Sequence, residues 1–254
     1  MPHPLITSKT KPALSFRILF YALGLLILAL GITMNTKAGL GVSPLISVPY
    51  SISQIWSFNF GNATFVSYIV YVSIEFLLRI LRAKKIAGPP LPPGQKLSLA
   101  LLMDGLQLPM SLLFTRFLNL FNDRLPNLAV DCAGTFWGTL PGRVLFLALA
   151  IVLTGIGAAL SMNMRIIPNP GDGVVLSIAD FTGKNVGLTK NCVDLLSALI
   201  TIAVSLLATG HLVGVGLGTI LCVLGVGRVI AVFNRLTLKK TLSLAGLPLS
   251  PGHT

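Results

Sequence analysis

Long apolar stretches alternate with short polar interruptions along most of the chain. Six stretches reach the roughly 20 residues that a helix needs to cross a bilayer; they lie near 16–35, 62–83, 97–121, 143–164, 187–209 and 212–236. None shows the period-2 alternation of a membrane strand, and in lipid only helices and closed barrels satisfy every backbone amide. The first stretch has no small-residue cleavage site, so we expect it to be retained. The pattern predicts an all-α membrane protein with six transmembrane helices.

The composition fits this pattern, and the distribution of charge gives an orientation. The chain is 54% hydrophobic and 10% charged, with a mean hydropathy of +0.85, which is far outside the soluble range. A net charge of +12 would otherwise point to nucleic acid. With a cytoplasmic amino terminus, however, fifteen Lys and Arg lie on the inner side of the membrane and four on the outer side. We therefore expect both termini in the cytoplasm, basic loops facing anionic lipid, and no nucleic acid partner.

Turn-forming residues follow directly after the first span, in the stretch KAGLGVSPLISVPYSISQ at 37–54. Within it Ser43, a good N-cap residue, precedes Pro44, and proline is favoured at the first position of a helix because it has no N–H to leave unpaired. The segment 44–57 is too short to cross a bilayer but long enough to enter one. The stretch therefore predicts a short helix that begins at Pro44.

The same arrangement occurs after the fourth span. Asn169 precedes Pro170, and a short segment at 170–181 follows. Two structures fit both short segments, namely re-entrant half-helices and amphipathic helices lying flat at the interface. The first segment carries serines rather than the cations typical of interfacial helices, which favours re-entrant half-helices.

A shift of 126 residues aligns the two halves of the chain. The identical pairs include Gly31 with Gly157, Pro44 with Pro170, Val48 with Val174, Ser51 with Ser177, and Ile52 with Ile178. Each half reads as one span, a short helix and two further spans. Because three crossings reverse the direction of the chain, we predict two inverted three-helix repeats. The predicted divisions are a cytoplasmic tail at 1–15, repeat 1 at 16–121, an external linker at 122–142, repeat 2 at 143–236 and a cytoplasmic tail at 237–254.

The starts of the two short helices form the predicted substrate site. Broken helices at matching places of inverted repeats are typical of the binding sites of secondary transporters, since their ends direct N–H groups and a dipole at the ligand. The predicted lining residues are Ser43, Pro44, Ser47, Asn169, Pro170 and Asp172. Asp172, in the first turn of the second short helix, is either a capping acid or a ligand for a proton, a cation or an amine.

Charged residues inside predicted spans are costly in lipid and are therefore either functional or neutralised. Those singled out are Glu75, Asp104, Asp194 and Arg228. Glu75 with Arg79, and Lys190 with Asp194, are spaced to form ion pairs on one helix face. Asp104 and Arg228 have no partner in their own spans, so we expect them to pair across the repeats. Similar depths for the carboxylates predict a hydrated vestibule open to the cytoplasm.

No pattern of catalytic, metal-binding or cofactor-binding residues occurs in the sequence. Three cysteines lie far apart, and the three histidines have no partner at ligand spacing. The sequence contains no HExxH motif, no serine-nucleophile motif and no phosphate-binding loop. We expect neither an enzyme nor a bound metal or cofactor.

The stretches GITMNTKAGLGVSP and GVGLGTILCVLGVGRVIAVFNRL carry a resemblance to a known family. They resemble the YczE-like family of bacterial multi-pass membrane proteins, which is related to the YitT group. The resemblance covers most of residues 16–237 and implies a plasma-membrane protein. In that family an aspartate commonly follows the proline by two places; Asp172 has this place in the second half and Ile46 in the first.

The favoured function is a secondary transporter that moves a small polar or charged metabolite between the repeats. One alternative is the substrate-binding membrane subunit of an energy-coupled transporter, which would need a coupling partner. Another is a non-transporting scaffold or regulator, in which the space between the short helices would be filled. Association into a homo-oligomer stays open.

Overall fold

A computed structural model describes residues 11–90 and 96–248, and the remaining parts of the predicted tails lie outside this range. The described chain contains no strand and is built from α-helices with one 3-10 turn. The helices are α1 (Lys11–Ala38), α2 (Pro44–Ile55), α3 (Phe60–Ala83), α4 (Leu97–Gly105), α5 (Gln107–Arg124), α6 (Leu140–Asn163), α7 (Pro170–Thr182), α8 (Val186–Thr209) and α9 (Leu217–Leu244). Six units are long and apolar enough to span a membrane: α1, α3, α4 with α5, α6, α8 and α9. The prediction of an all-α protein with six such helices is confirmed.

The third unit is broken, although the sequence predicted one continuous span. α4 ends at Gly105 and α5 starts at Gln107, with Leu106 between them. Pro109 explains the interruption, because proline has no N–H to donate to the carbonyl of Gly105, four residues earlier. The break lies beside Asp104 and Gln107, both of which are buried.

The last unit starts and ends later than predicted. Gly210 ends α8 in the left-handed conformation, with φ of 73°, and Gly214, with φ of 85°, lies in the following loop. A glycine in this conformation is a common helix terminator because it has no Cβ to clash. α9 therefore begins at Leu217, and residues 237–244, predicted as tail, are helical.

The most extensive contact between two helices in the described chain joins α1 and α6, which pack closely and antiparallel at the centre of the fold. Gly24 faces Ser161, whereas Gly31, further along α1, faces Thr154, earlier in α6. Side chains at these glycines would collide with the backbone of the facing helix. Small residues allow this approach, as is common between membrane helices.

Each of these helices is capped at its carboxyl end by an arginine from the other. Arg17 of α1 donates to the carbonyls of Met164 and Arg165 at 2.8 and 2.7 Å. Arg143 of α6 donates from Nε to the carbonyl of Ala38 at 2.8 Å, and its Nη2 donates to the next carbonyl. Cations are favoured at helix carboxyl ends, where carbonyls lack helical partners.

The other helices pack around this pair. α5 contacts α1, and α9 contacts α6. Each short helix contacts a long helix from both halves of the chain. α2 packs against α3 and α8, and α7 packs against the same two helices. Tyr68 of α3 stacks on Phe114 of α5, with ring centroids 6.3 Å apart, in the buried aromatic core beside these contacts.

Candidate functional site

The two short helices begin at the predicted prolines, Pro44 and Pro170, but their caps differ. Asn169 Oδ1 accepts a hydrogen bond from the N–H of Gly171 at 3.0 Å. Ser43 has the N-cap position of α2 but forms no side-chain cap bond. Its own N–H donates to Asn35 Oδ1 of α1 at 3.3 Å.

The starts of α2 and α7 lie against each other inside the helix bundle. Leu45 Cδ2 contacts Gly171 so closely that a methyl group at Gly171 would collide with it. The Tyr71 hydroxyl of α3 donates to the Leu45 carbonyl at 3.3 Å. Asn169 contacts the hydroxyl of Tyr68, one turn earlier on α3. Both short helices therefore begin beside the same part of α3.

From this junction the two helices run apart. α2 passes Thr201 of α8, and its Tyr50 then packs on Phe60, at the start of α3. α7 passes Glu75 of α3, and its Asp180 then lies 3.5 Å from Arg82, near the end of that helix. Because α2 ends beside the first residues of α3 and α7 beside the last, the two short helices lead to opposite ends of the bundle.

The first turn of α7 is already hydrogen-bonded within the protein. Asn169 Oδ1 accepts from Gly171, and the Asn169 carbonyl accepts from the N–H groups of Asp172 and Gly173 at 2.9 and 2.8 Å. Helix starts bind anions through unpaired N–H groups. These three N–H groups already have partners, so an anionic ligand would have to displace the Asn169 cap.

Asp172 is the carboxylate closest to the junction. It is partly buried, and its side chain forms no hydrogen bond or ion pair within the described part of the chain. The charged groups that act on it are Lys190 and Asp194 of α8. Lys190 and Asp194 neutralise each other at 3.2 Å, as predicted. Lys190 is thus shared between two carboxylates, and in this group of three residues the acids outnumber the cation by one.

Ser47 is used in a contact between helices. It is fully buried, and its hydroxyl lies 2.6 Å from the Pro44 carbonyl and 2.7 Å from Thr201 Oγ1. These two bonds use the hydroxyl proton and one of its two lone pairs. In this conformation Ser47 faces α8, and its hydroxyl is engaged in the contact between α2 and α8.

Two predicted charge pairs are wrong. The guanidinium of Arg79 binds Asp104 through both Nε and Nη2, the second bond being 2.9 Å long, so Arg79 does not neutralise Glu75. The break after α4 brings Asp104 opposite α3, and a two-bond contact holds the planar guanidinium there. Arg228, the expected partner of Asp104, is exposed on α9.

Glu75 instead contacts Gln107, at the first position of α5. Gln107 Nε2 donates to Glu75 Oε2 at 2.8 Å, and both side chains are only 1% exposed. Sequence analysis did not single out Gln107. Gln107 could have been found from its position in the sequence, because it is a polar residue within an apolar stretch, three residues after Asp104 and two before Pro109.

A cavity of about 390 Å³ lies near the end of α1. It is lined mainly by residues 39–42 and 214–217, together with Thr36, Tyr50, Leu140 and Leu212. Backbone bonds join its two walls, from Val42 N–H to the Gly214 carbonyl at 2.9 Å and from Gly218 N–H to the Leu40 carbonyl at 2.6 Å. Sequence analysis identified residues 39–42 as part of a break after the first span. It gave no indication that the loop before α9 faces them.

Residues 15–235 match a family described as a family of unknown function (DUF6198). The chain belongs to this family. The uncharacterized membrane protein YczE of Bacillus subtilis (strain 168) is 26% identical over 221 residues, which cover 87% of the chain and 86% of that relative. The resemblance to the YczE-like family is thereby confirmed. No solved structure is significantly similar to the chain.

The region that matches DUF6198 contains the junction of the two short helices and the carboxylates around it. It starts within α1 and ends within α9, so it includes both short helices and the buried carboxylates. The relative and the six long apolar helices establish an integral membrane protein, and neither the family's nor the relative's description names an activity.

Proposed function

We propose that the protein is a secondary transporter for a small polar or charged metabolite, with a central site between two inverted three-helix repeats. The observation that carries the proposal is the pair of short helices that begin at one buried junction and lead to opposite ends of the bundle. Such broken helices are typical of transporter sites. The proposed setting is a bacterial plasma membrane with both termini in the cytoplasm, and we propose no enzymatic activity.

An offset of 126 residues relates many of the contacts in the two halves, which supports the inverted repeat. Arg17 and Arg143 differ by this offset, and so do the carbonyls that they cap. The starts of α2 and α7 differ by 126 residues, as do the starts and the ends of α3 and α8. Because α1 and α6 are antiparallel, the relation between the halves is that of a two-fold axis perpendicular to the helices. An axis of this kind lies in the membrane plane.

The charge at the junction favours a cationic substrate. Asp172 forms no ion pair within the described residues, and the nearby cation, Lys190, is bound by Asp194. The first N–H groups of α7 are occupied by Asn169. A buried uncompensated carboxylate attracts positive charge, because isolated charges are strongly unfavourable in a membrane interior. The proposed substrate is therefore a small amine or another metabolite with positive charge, bound by Asp172 beside the start of α2.

A non-transporting scaffold is the second candidate, and Leu45 is the observation that favours it. Its side chain fills the space between the two helix starts in this conformation. A transporter must open this contact during its cycle, whereas a scaffold would keep it closed. The third candidate, a subunit of an energy-coupled transporter, stays a prediction that co-purification of an ATPase would support.

The test is a screen of metabolite binding by thermal shift on detergent-purified protein, using cationic, neutral and anionic compounds. We expect a cationic metabolite to raise the melting temperature of the wild type. Asp172→Asn should abolish this shift because it removes the free carboxylate. Asp180→Asn is the matched control, since Asp180 lies on the same helix but is exposed. Any ligand found is then tested for uptake into proteoliposomes.

Two results would contradict the proposal. Binding without uptake by the reconstituted protein would favour the second or third candidate. Equal thermal shifts in wild type and Asp172→Asn would remove Asp172 from the site.

Labelling of Cys132, between α5 and α6, with a membrane-impermeant maleimide tests the proposed orientation. We expect modification of Cys132 in intact cells, and modification only after lysis would reverse the orientation.

A further inference from the structure

The contact between Glu75 and Gln107 is incomplete, although both residues are buried. Gln107 Nε2 donates to Glu75 Oε2, but Glu75 Oε1 and Gln107 Oε1 have no hydrogen-bond partner in the described part of the chain. Buried polar atoms in folded proteins are nearly always hydrogen-bonded. Two unpaired oxygens on adjoining side chains therefore require an explanation.

Both unpaired oxygens face the same place, directly above Gly173 of α7. A methyl group built on Gly173 would lie 2.6 Å from Glu75 Oε1 and 2.8 Å from Gln107 Oε1. Gly173 cannot provide a donor, because its N–H is bonded to the Asn169 carbonyl at 2.8 Å. The absence of a side chain at Gly173 leaves room for the two oxygens, and α7 offers them no hydrogen bond.

One proton satisfies both oxygens at once. An ionised carboxylate and an amide oxygen are acceptors only, whereas a protonated carboxyl group has one O–H donor. Because both oxygens lie within 2.8 Å of one point above Gly173, a proton on Glu75 Oε1 is directed toward Gln107 Oε1. Together with the bond from Gln107 Nε2 to Glu75 Oε2, it completes a ring of two hydrogen bonds between acid and amide.

The surrounding charges favour the same state. Arg79, one turn further along α3, is already bound by Asp104, whose carboxyl group also lies beside Glu75. From the other side α7 contributes Asp172, and beyond it α8 contributes the pair Lys190 and Asp194. With Glu75 protonated, the group of Glu75, Arg79 and Asp104 is neutral. With Glu75 ionised, it carries one buried negative charge without a counter-ion, which is unfavourable in a membrane interior.

We infer that Glu75 is a proton-binding residue in the interior of the membrane domain and that Gln107 is its positioning partner. In this conformation the proton lies between Glu75 Oε1 and Gln107 Oε1. On release the O–H bond of Glu75 breaks, the electron pair stays on Oε1, and the proton passes to water. The further assignment of this proton as the coupling ion of a transporter rests on the proposed function.

Infrared spectroscopy of the full chain in an ester-free detergent tests the inference without any substrate. At neutral pH we expect a C=O stretching band of a protonated carboxyl group that shifts to lower frequency in D2O. Glu75→Gln should remove this band, whereas any contribution from Asp104, Asp172 or Asp194 should stay, so the result is taken from the difference between the wild-type and variant spectra. Asp131→Asn, which removes an exposed carboxylate of the α5–α6 connection, should leave it. Absence of the band from the wild type, or its persistence in Glu75→Gln, would overturn the inference.

The pH dependence of thermal stability is a second readout. A glutamate that is protonated when folded and ionised when unfolded stabilises the fold at low pH, and this contribution is lost as the pH rises. The melting temperature of the wild type should therefore fall as the pH is raised. Glu75→Gln should fold, because its amide can replace both bonds to Gln107, and should lose this part of the pH dependence. Parallel pH profiles for the two proteins would contradict a proton on Glu75.

The two proposals can fail separately. A carboxyl band that depends on Glu75, in a protein that transports nothing, would retain the proton site and reject the transporter. Uptake of a metabolite by a protein without that band would retain the transporter and reject the proton site. If both hold, Glu75→Gln should lose uptake driven by a proton gradient but retain substrate exchange.

Discussion

The contact of α7 with α3 and the contact of α2 with α8 involve residues that are offset by 126 along the chain, but the side chains in the two contacts differ in chemistry. Ser47 and Thr201 join α2 to α8 through two hydroxyls 2.7 Å apart. The positions offset from them by 126 residues are Gly173 and Glu75, which join α7 to α3 with a carboxyl group above a glycine. The first contact is neutral and satisfied within the protein, whereas the second leaves acceptors unpaired.

This difference indicates that the same helix arrangement serves two purposes. Titratable groups cluster around α7, namely Glu75, Asp104, Asp172 and Asp194 with the cations Arg79 and Lys190. Around α2 the buried polar groups are mainly hydroxyls, and the cavity of about 390 Å³ lies on that side. The titratable groups are thus concentrated on the α7 side, and the accessible space lies on the α2 side. Three substitutions test this difference between the two contacts.

The largest effect is expected from Arg79→Met. Removing one partner of a buried ion pair leaves an uncompensated charge, here on Asp104, and typically destabilises a protein by about 3–5 kcal/mol. We expect a loss near the lower limit, about 3 kcal/mol, because Arg79 is partly exposed, measured by chemical denaturation in detergent micelles. Lys190→Met is the control within the same half, and its exposed ammonium predicts a loss under about 1 kcal/mol. Equal losses of stability in the two variants would mean that the ion pair of Arg79 with Asp104 stabilises the fold no more than that of Lys190 with Asp194.

An intermediate effect is expected from Gly173→Val. The added atoms would be within about 3 Å of Glu75 and Gln107, and overpacking of this kind costs about 1–3 kcal/mol. Gly227→Val in α9 is the matched control, because no atom lies within 4 Å of its substituted position. Similar melting temperatures for the two variants would contradict the close approach of α7 to α3.

The smallest effect is expected from Thr201→Val on the neutral side. The substitution keeps the shape of the side chain and removes the hydrogen bond to Ser47, which should cost about 0.6–1.7 kcal/mol in a membrane protein. Thr237→Val is the control, since the hydroxyl of Thr237 bonds only to the Phe233 carbonyl of its own helix. A loss above that of Gly173→Val would reverse the proposed ranking of the two contacts.

The sequence predicted the local features of the fold well. Prolines and N-cap residues fix the starts of α2 and α7, and apolar length fixes the six long units. The break at Leu106 was missed because the apolar pattern continues across it, although Pro109 was a usable signal. Arg17 and Arg143 are also offset by 126 residues, which is a signal for the two reciprocal helix caps. Sequence analysis counted these arginines only among the charges that assign the orientation.

Partners of buried charges were harder to predict. Spacing by four residues identified Lys190 with Asp194 but gave the wrong acid for Arg79. The choice between Glu75 and Asp104 depends on how α4 meets α3, and the sequence carries no direct record of that tertiary contact. For the same reason the amide partner of Glu75 and the second wall of the cavity could not be predicted.

The contact between Leu45 and Gly171 limits how alike the two halves can become. These residues are offset by 126 and touch each other, so each stands where the other's side chain would go. A leucine on both sides would need the same volume twice, and a glycine on both sides would leave a hole at the meeting point. A large side chain at one of these two positions is therefore matched by a small residue at the other, and the closed contact depends on this difference between the two helix starts.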